Sequence, residues 1–567
     1  MSMSIFDYKT ALGGDGKALY SEAITLALYA STPTGEALPG TAWRPISVSQ
    51  LGYQGNVSAQ GTISGEQAIV SDAQSRCWAN TTRPGSCCPS ASSFRGTRQP
   101  QGRYQRLAGG LRVGLLPTTT SRLAFDNLLG KVAAFAAAQG LSGSDVLVTG
   151  HSLGGLGGQP RGGHEQRSLG RLLPGRQLLG FASPTQSANS SQVLNIGYET
   201  TRCSAPWTAL ISTALSLGTH WQAPGVATNN IVSFTDHYSS FLGEVDSPEH
   251  PQSAVLVGPQ CGGLRRGLNR LINSDFYDLT SRDSTVVISN LSEGKRDQVW
   301  VKDLNLYAEK HTGSTFIIGT QSNDLLHGGK GNDYLDGGAG DDRFRDDGGY
   351  NIIHGGQGHN VLELQQPLKN FSIANDGDGT LYIRDAYGGI SMTRDVGALV
   401  SHETGSWWQL FGKDVSHSVT ADGLQNGNQW TAYNHSLNGD AYGNALVASV
   451  DGDWLFGHGG DDLLSSDKAN VTFVGGTGND VMHSSGGGGN TFLFSGNFGF
   501  DLIHGYQNTD KLVFMGVPGV DAHYDYSQHL SQNGNDTLVQ VFGEFLRVNP
   551  WWGSAWTSLS GSGLVFA

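Results

Sequence analysis

The sequence predicts an α/β + all-β chain, with an N-terminal α/β domain followed by a C-terminal parallel β-roll. Three observations predict it. Residues 124–140 carry helical periodicity and lead into an apolar, β-rich run at 145–150 that ends in a Gly-rich turn. From Gly319 to Glu363 a period of nine holds without a slip, in units such as GGKGNDYLD (328–336) and GGAGDDRFR (337–345). Glycine supplies 82 of the 567 residues, and a period of three that would signal a collagen-like chain is absent.

The α/β part rests on the helix, strand and turn. AFDNLLGKVAAFAAAQG (124–140) closes on Gly140, a residue suited to a left-handed helix C-cap. DVLVTG (145–150) then runs into Gly150-His151-Ser152-Leu153-Gly154, which fits G-x-S-x-G. That pentapeptide says little in so glycine-rich a chain, and its context decides. A strand that turns sharply into a helix exposes the serine hydroxyl at the end of the sheet. Ser152 is the candidate nucleophile, and the N–H of Leu153, the next residue, is an oxyanion donor.

The β-roll part rests on the repeat. Its sixth position is Asp324, Asp333 and Asp342, then Asn351 and Asn360. Its eighth is apolar throughout: Leu326, Leu335, Phe344, Ile353 and Leu362. A second block keeps the phase with Asp453, Asp462 and Asp480, and one degenerate unit has Val471 where Asp belongs. Glycines allow positive φ and expose carbonyls. The aspartate adds the hard oxygen that Ca2+ prefers. The apolar residue starts a short strand whose side chain points inward. Two nonapeptides make one coil, with Ca2+ expected between successive turns on each side. The expected ligands are Asp324, Asp333, Asp342, Asp453, Asp462 and Asp480, with Gly329, Gly331, Gly338, Gly340, Gly476 and Gly478 at the turns. A flexible Gly/Asp linker would not hold Asp and apolar residues in phase over five units.

Charge and hydropathy bound the partners. The formal net charge is −14. A chain this acidic is a poor nucleic-acid binder, because neutralising phosphates takes Lys and Arg. No run of 18 apolar residues is present, so no membrane-spanning helix is expected. The N-terminus, MSMSIFDYKTALGG, has neither a basic nor an apolar signal-peptide region.

The repeats resemble those of the repeats-in-toxin proteins of bacteria, whose members leave the cell through an ABC-type exporter on an uncleaved C-terminal signal. SLSGSGLVFA at the C-terminus is similar to such a signal. GHSLGG, FRGT (94–97), ASPTQS (182–187), NIGYE (195–199), NIVSFTDHY (230–238) and FYDLTSRDST (276–285), taken with the repeats, resemble the family I.3 bacterial lipases. The resemblance implies an α/β-hydrolase-like first domain and hydrolysis of triacylglycerol esters at an oil–water interface outside the cell. It makes the N–H of Thr97 the second oxyanion donor and Asp283 a calcium ligand of the first domain. It also implies a histidine base and a carboxylate acid.

At those two positions the chain departs from the family. A family segment running Asn-Asp-Pro-Val-Phe-Arg-Ala-Leu-Asp after Gly-Tyr-Glu, written AAC GAC CCG GTG TTC CGC GCC CTG GAC, loses one base to read ACG ACC CGG TGT TCC GCG CCC TGG. That is Thr200 to Trp207, and it puts Thr201 where the acid belongs. A similar slip gives PQCGGLRR (259–266), with the base's codon straddling Pro259 and Gln260. Asp236-His237 in NIVSFTDHY matches neither role. All five cysteines (77, 87, 88, 203 and 261) fall in stretches that break the resemblance, an unlikely disulfide plan for an exported protein. Residues 70–92, 98–122, 157–178, 240–266 and 544–557 are read as frameshifted patches.

The expected domains are 1–305, the lipase-like domain; 306–365, the first roll block; 366–447, a β-rich spacer; 448–500, the second roll block; and 501–567, a β region with the secretion signal. Two other readings compete. A non-enzymatic repeat protein of adhesin or surface-layer type would not need GHSLGG after a strand. A repeat-bearing metalloprotease would need H-E-x-x-H, and His402-Glu403 lacks the second His.

Overall fold

The computed structural model describes residues 21, 23–26, 43–59, 62–64, 74–80, 90–95, 117–141, 146–151, 177–181, 194–196, 231–234 and 261–280. From there it describes 284–302, 314–404, 412–518, 520, 529–541, 544–550 and 564–566. The chain divides into two compact units, with a break between Asn273 and Ser274.

The N-terminal unit is built on one sheet. Its strands are β1 (Trp43–Pro45), β2 (Ile63–Ser64), β3 (Gln74–Asn80), β4 (Ser90–Arg95), β5 (Val146–His151), β6 (Gln177–Phe181) and β7 (Leu194–Ile196). The order is β1-β3-β4-β5-β6-β7, with β2 on β3. β4 to β7 are mutually parallel, whereas β1, β2 and β4 pair antiparallel with β3. Helix α1 (Pro117–Ala138) connects β4 to β5. Proline at its first position costs no hydrogen bond there. It ends as the sequence predicts: Gly140 has φ +74°, its N–H donates to Ala137, and the N–H of Leu141 donates to Ala136. This double closure is a Schellman cap. Leu128, Leu129, Val132 and Ala136 line the buried face of α1, against Leu51, Tyr53, Ile63, Cys77 and Val146. Cys77 and β3 thus form part of the core, although 70–92 breaks the family resemblance. Helix α2 (Cys261–Asn273) buries Leu268, Leu271 and Ile272, at helical spacing. Residues Ile231–Phe234 form β8, which is not a strand of this sheet.

The C-terminal unit winds as two rolls. The first takes up β9 (Thr285–Ser289), β10 (Val301–Lys302), β11 (Thr315–Ile318), β12 (Leu325–His327), β13 (Asp333–Asp336), β14 (Arg343–Asp346), β15 (Tyr350–His354) and β16 (Val361–Leu364). Odd strands pair in parallel on one side and even strands on the other, and from β11 onward each coil is 18 residues. The eighth positions stack inside. Val287, Ile317, Leu335 and Ile353 form one column, and Leu326, Phe344 and Leu362 the other. All seven are essentially fully buried, and each contributes about 1.5–3 kcal/mol by leaving water.

The second roll has β24 (Ser436–Asn438), β26 (Trp454–Phe456), β28 (Thr472–Val474), β30 (Thr491–Ser495), β32 (Lys511–Met515) and β36 (Leu564–Phe566) on one side. The other side holds β25 (Ala445–Val447), β27 (Leu463–Ser466), β29 (Val481–Ser484), β31 (Phe500–Tyr506) and β35 (Glu544–Pro550), edged by β34 (Asp536–Val541) and β33 (Leu530–Asn533). Leu455, Phe473, Phe492 and Leu512 fill it from one face, and Leu464, Met482, Ile503 and Val548 from the other.

Three expected boundaries shift. β9 and β10 lie before residue 306 yet pair with β11 and β12, so the roll begins near 285. β24 and β25 start the second roll before 448, and β31, β32, β35 and β36 carry it past 500. The spacer is not separate. β19 (Ile390–Arg394) and β20 (Ala398–Glu403) continue the first roll's two sheets in parallel. β17 (Ser372–Asn375) and β18 (Leu381–Arg384) extend one sheet antiparallel. The other is extended by β21 (Lys413–Val419), β22 (Gly423–Asn426) and β23 (Gln429–Ala432). β18 then covers the second roll: Tyr382 packs on Trp454 and Phe456, and the Arg384 guanidinium lies 4.7 Å over the Trp454 ring. Residues 544–550, inside a patch that breaks the resemblance, supply Leu546 and Val548 to the core.

Candidate active-site edge and calcium-binding turns

The N-terminal sheet brings to one edge the ends of the strands that precede the predicted catalytic segments in the sequence. β5 is central in its sheet and ends at His151, one residue before Ser152. β4 ends at Arg95, two residues before Thr97. The two are parallel neighbours whose ends are level, with Phe94 beside Gly150 and Arg95 beside His151. On the other flank His151 pairs with Phe181, and Phe181 with Ile196, so β6 and β7 end at the same edge, just before ASPTQS and GYET respectively in the sequence. In parallel α/β sheets the carboxyl ends of the strands are where ligands bind. Ser152, Leu153, Thr97, Thr201, Pro259, Gln260 and Asp283 themselves lie outside the described residues, as do Asp236 and His237.

The repeat turns are described in full. Asp324, Asp333, Asp342, Asp453, Asp462 and Asp480 are all buried, at 0–3% exposure. Most follow one rule: a sixth-position Oδ1 accepts the N–H of the sixth-position residue one coil earlier. Asp342 accepts from Asp324 (2.8 Å), Asp462 from Asn444 (2.7 Å) and Asp480 from Asp462 (2.9 Å). Asn351 and Asn360 accept in the same way from Asp333 and Asp342. One oxygen each of Asp342, Asp462 and Asp480 therefore holds the coil spacing. The second oxygen, Oδ2, of Asp342, Asp462 and Asp480 is buried with no hydrogen-bond partner among the described residues.

The glycines explain why those oxygens stay open. A Cβ at Gly337, Gly457 or Gly475 would collide with the Oδ2 of Asp342, Asp462 or Asp480 in its own unit. Gly338, Gly340, Gly476 and Gly478 have φ between +87° and +141°, and Gly329 has +106°. Only glycine takes up these angles without strain. Burial first, and then neighbouring carboxylates, push Asp342 up to about 8 and Asp480 up to about 6. A buried carboxylate with an open oxygen beside backbone carbonyls is a hard-oxygen environment suited to Ca2+. No group of three or more His, Cys, Asp or Glu side chains gathers at one point among the described residues. A cation in the turns must therefore take backbone carbonyls along with a carboxylate, and the glycine turns supply them.

Asp324 and Asp453 are different. Asp324 accepts from Ser289 at Oδ1 and from Thr320 at Oδ2. Asp453 is bonded to His435 through Oδ1 and accepts from Ser449 and Val450 at Oδ2. Burial alone would raise Asp453, but these donors outweigh it and hold the group below its ordinary value. One aspartate escapes sequence reading. Asp501 sits 21 residues after Asp480, off the 18-residue register, yet its Oδ1 accepts the Asp480 N–H at 2.9 Å and its Oδ2 is buried and open. The surviving signal is the D-x-apolar pattern of Asp501-Leu502-Ile503.

Comparison with known proteins agrees with both halves. A model of the RTX calcium-binding nonapeptide repeat matches four times, at residues 312–344, 337–364, 438–470 and 456–493. A Pseudomonas fluorescens protein named lipase is 34% identical over 376 residues, covering 56% of this chain and 79% of the relative. A second Pseudomonas fluorescens lipase is 39% identical over 288 residues, covering 49% and 64%. The crystal structure of the extracellular lipase LipA from Serratia marcescens superposes with a TM-score of 0.83 at 36% identity, and each chain is covered in full.

Proposed function

The chain belongs to the family I.3 bacterial lipases, hydrolases with calcium-binding repeats, and on that premise we propose that it acts outside the cell on triacylglycerol esters through Ser152. The observation that carries the assignment is the level, parallel pairing of β4 and β5, one ending just short of Thr97 and the other just short of Ser152. The Ser152 hydroxyl attacks the acyl carbonyl, and the N–H groups of Leu153 and Thr97 hold the oxyanion. The carbonyl re-forms as the bond to the glycerol oxygen breaks, and that oxygen leaves with the serine's proton. Water then attacks the acyl-serine and releases the fatty acid. A base and an acid should assist both steps, but their matched positions are occupied by Pro259/Gln260 and Thr201. That observation favours a second reading, an inactive remnant of a lipase.

Calcium supplies charge neutralisation to the repeat turns. Asp333, Asp342, Asp462 and Asp480, with carbonyls of Gly329, Gly331, Gly338, Gly340, Gly476 and Gly478, are the groups to hold it, and Asp283 is a separate ligand in the family match. Export through an ABC-type exporter fits this chemistry, since calcium-poor cytosol would leave the buried carboxylates uncompensated. Among the described residues no helix is long and apolar enough to cross a membrane.

Ser152→Ala tests the assignment. With the chain whose frame is restored across 200–208 and 259–266 as the parent, hydrolysis of emulsified triolein should fall at least ~10³-fold from the parent value, with calcium binding unchanged. Turnover close to the parent's would remove Ser152 from the mechanism.

A further inference from the structure

We propose that the second roll holds calcium along only one of its two edges, and that Asp501 extends that edge by a ligand beyond the last nonapeptide. The proposal rests on the calcium reading above and concerns which turns carry the ions.

The two edges are chemically unlike. Along one run Asn444, Asp462, Asp480 and Asp501, each a coil above the last. The Oδ1 atoms of the three aspartates are used up by the backbone ladder, and their Oδ2 atoms are buried without a hydrogen-bond partner among the described residues. Each aspartate is at most 3% exposed, so bulk water does not compensate the oxygens. Burying a carboxylate oxygen without a partner is costly. Three such oxygens in register on one edge mark a missing positive ligand. The turns match. Gly476 and Gly478 have φ of +102° and +141°, and Gly499, at the corresponding place below Asp501, has +84°. A Cβ at Gly499 would strike the Gly478 carbonyl, just as one at Gly478 would strike the Gly460 carbonyl. The coil below Asp501 therefore has the same carbonyl-lined turn as its predecessors, although the sequence register has slipped. Glu544 adds a carboxylate at the same end, where its Oε2 accepts the Gly499 N–H.

Along the opposite edge run His435, Asp453, Val471, Asn490 and Asp510, and every carboxylate oxygen there has a protein donor. Asp453 is matched by His435 at 2.9 Å, the Ser449 N–H at 2.7 Å and the Val450 N–H at 3.1 Å. The next coil has no carboxylate at this position: Val471 is fully buried and donates its N–H to Asn490 Oδ1. Asn490 then spends its amide on Ser484, and Asp510 accepts from the N–H groups of Asn490 and Gln507. Direct hydrogen bonds on this edge take the place that a cation takes on the other. The degenerate unit 466–474 is then a built-in side-chain clasp, and its missing aspartate is part of that clasp.

The test uses the full chain crystallised with Ca2+, with diffraction recorded at a wavelength where calcium scatters anomalously. Expected are peaks within about 2.3–2.6 Å of the Oδ2 atoms of Asp462, Asp480 and Asp501, and none beside Asp453, Val471 or Asn490. A peak on an Asp453 oxygen, or none at Asp501, overturns the one-sided assignment alone. Absence of peaks from both edges overturns it together with the calcium reading beneath it. In solution, bound calcium measured by atomic emission after equilibrium dialysis should fall by about one ion per chain in Asp501→Asn and stay at the parent value in Asp453→Asn. Equal losses in the two variants contradict the proposal.

Discussion

Chelation should unfold the rolls at alkaline pH and leave them folded at mildly acidic pH. With EDTA at pH 9, the β signal of the full chain in circular dichroism should collapse, and millimolar Ca2+ should restore it. At pH 5 the same EDTA sample should keep most of the signal. The sign follows from the carboxylates. Asp342 and Asp501 are each pushed from 3.8 up to about 8, and Asp480 and Asp510 up to about 6, all with burial as the leading cause. An acid whose folded pKa is raised contributes stability below its unfolded pKa, near 4, and loses it as pH climbs through the folded value. The window of loss is therefore about pH 4 to 8. At about 1.4 kcal/mol per unit, ionising Asp342 or Asp501 in place opposes folding by on the order of 5 kcal/mol apiece, comparable with the whole stability of a domain. Calcium reverses the balance, since it binds the ionised form and makes binding energy folding energy. A β signal in EDTA that is equal at pH 5 and pH 9 would contradict this account of the turns.

Rebuilding the catalytic apparatus should produce the largest gain in activity. The chain with frame restored across 200–208 and 259–266, which returns a carboxylate at 201 and a histidine near 259–260, should hydrolyse emulsified triolein roughly 10⁴-fold faster or more than the chain as it stands. A serine without its base or acid loses that much, because neither the proton transfer nor the tautomer of the base is secured. Equal rates for the two chains would show that other residues already serve as acid and base.

The repeat half was legible because its physics is local. Nine-residue spacing alone places Leu326, Phe344 and Leu362 in one buried column, and the structure has them there. Gly140 as the cap of α1 was legible for the same reason. What escaped depends on contacts between coils. The 21-residue step to Asp501 hides a member of the aspartate column that only the Asp480 N–H reveals. Asp453 carries the repeat's residue, and only its neighbours His435 and Ser449 show that its oxygens are occupied. The spacer strands β17, β18 and β19 belong to a sheet that continues through β15, β13, β11 and β9, all before residue 366, a pairing no short window encodes. At the proposed catalytic edge the strands β4 and β5 run into FRGT and GHSLGG as the motifs require, while Thr201 and Pro259/Gln260 carry no trace of the chemistry expected there.

The most direct measurement of whether this chain is a serine lipase is covalent labelling of the frame-restored protein with a lipid-like fluorophosphonate, read by mass spectrometry of the peptide spanning 145–160. The expected result is one phosphonyl group on Ser152, formed in step with loss of triolein hydrolysis and absent in Ser152→Ala. A label on another residue, or full hydrolysis with Ser152 unmodified, would contradict it.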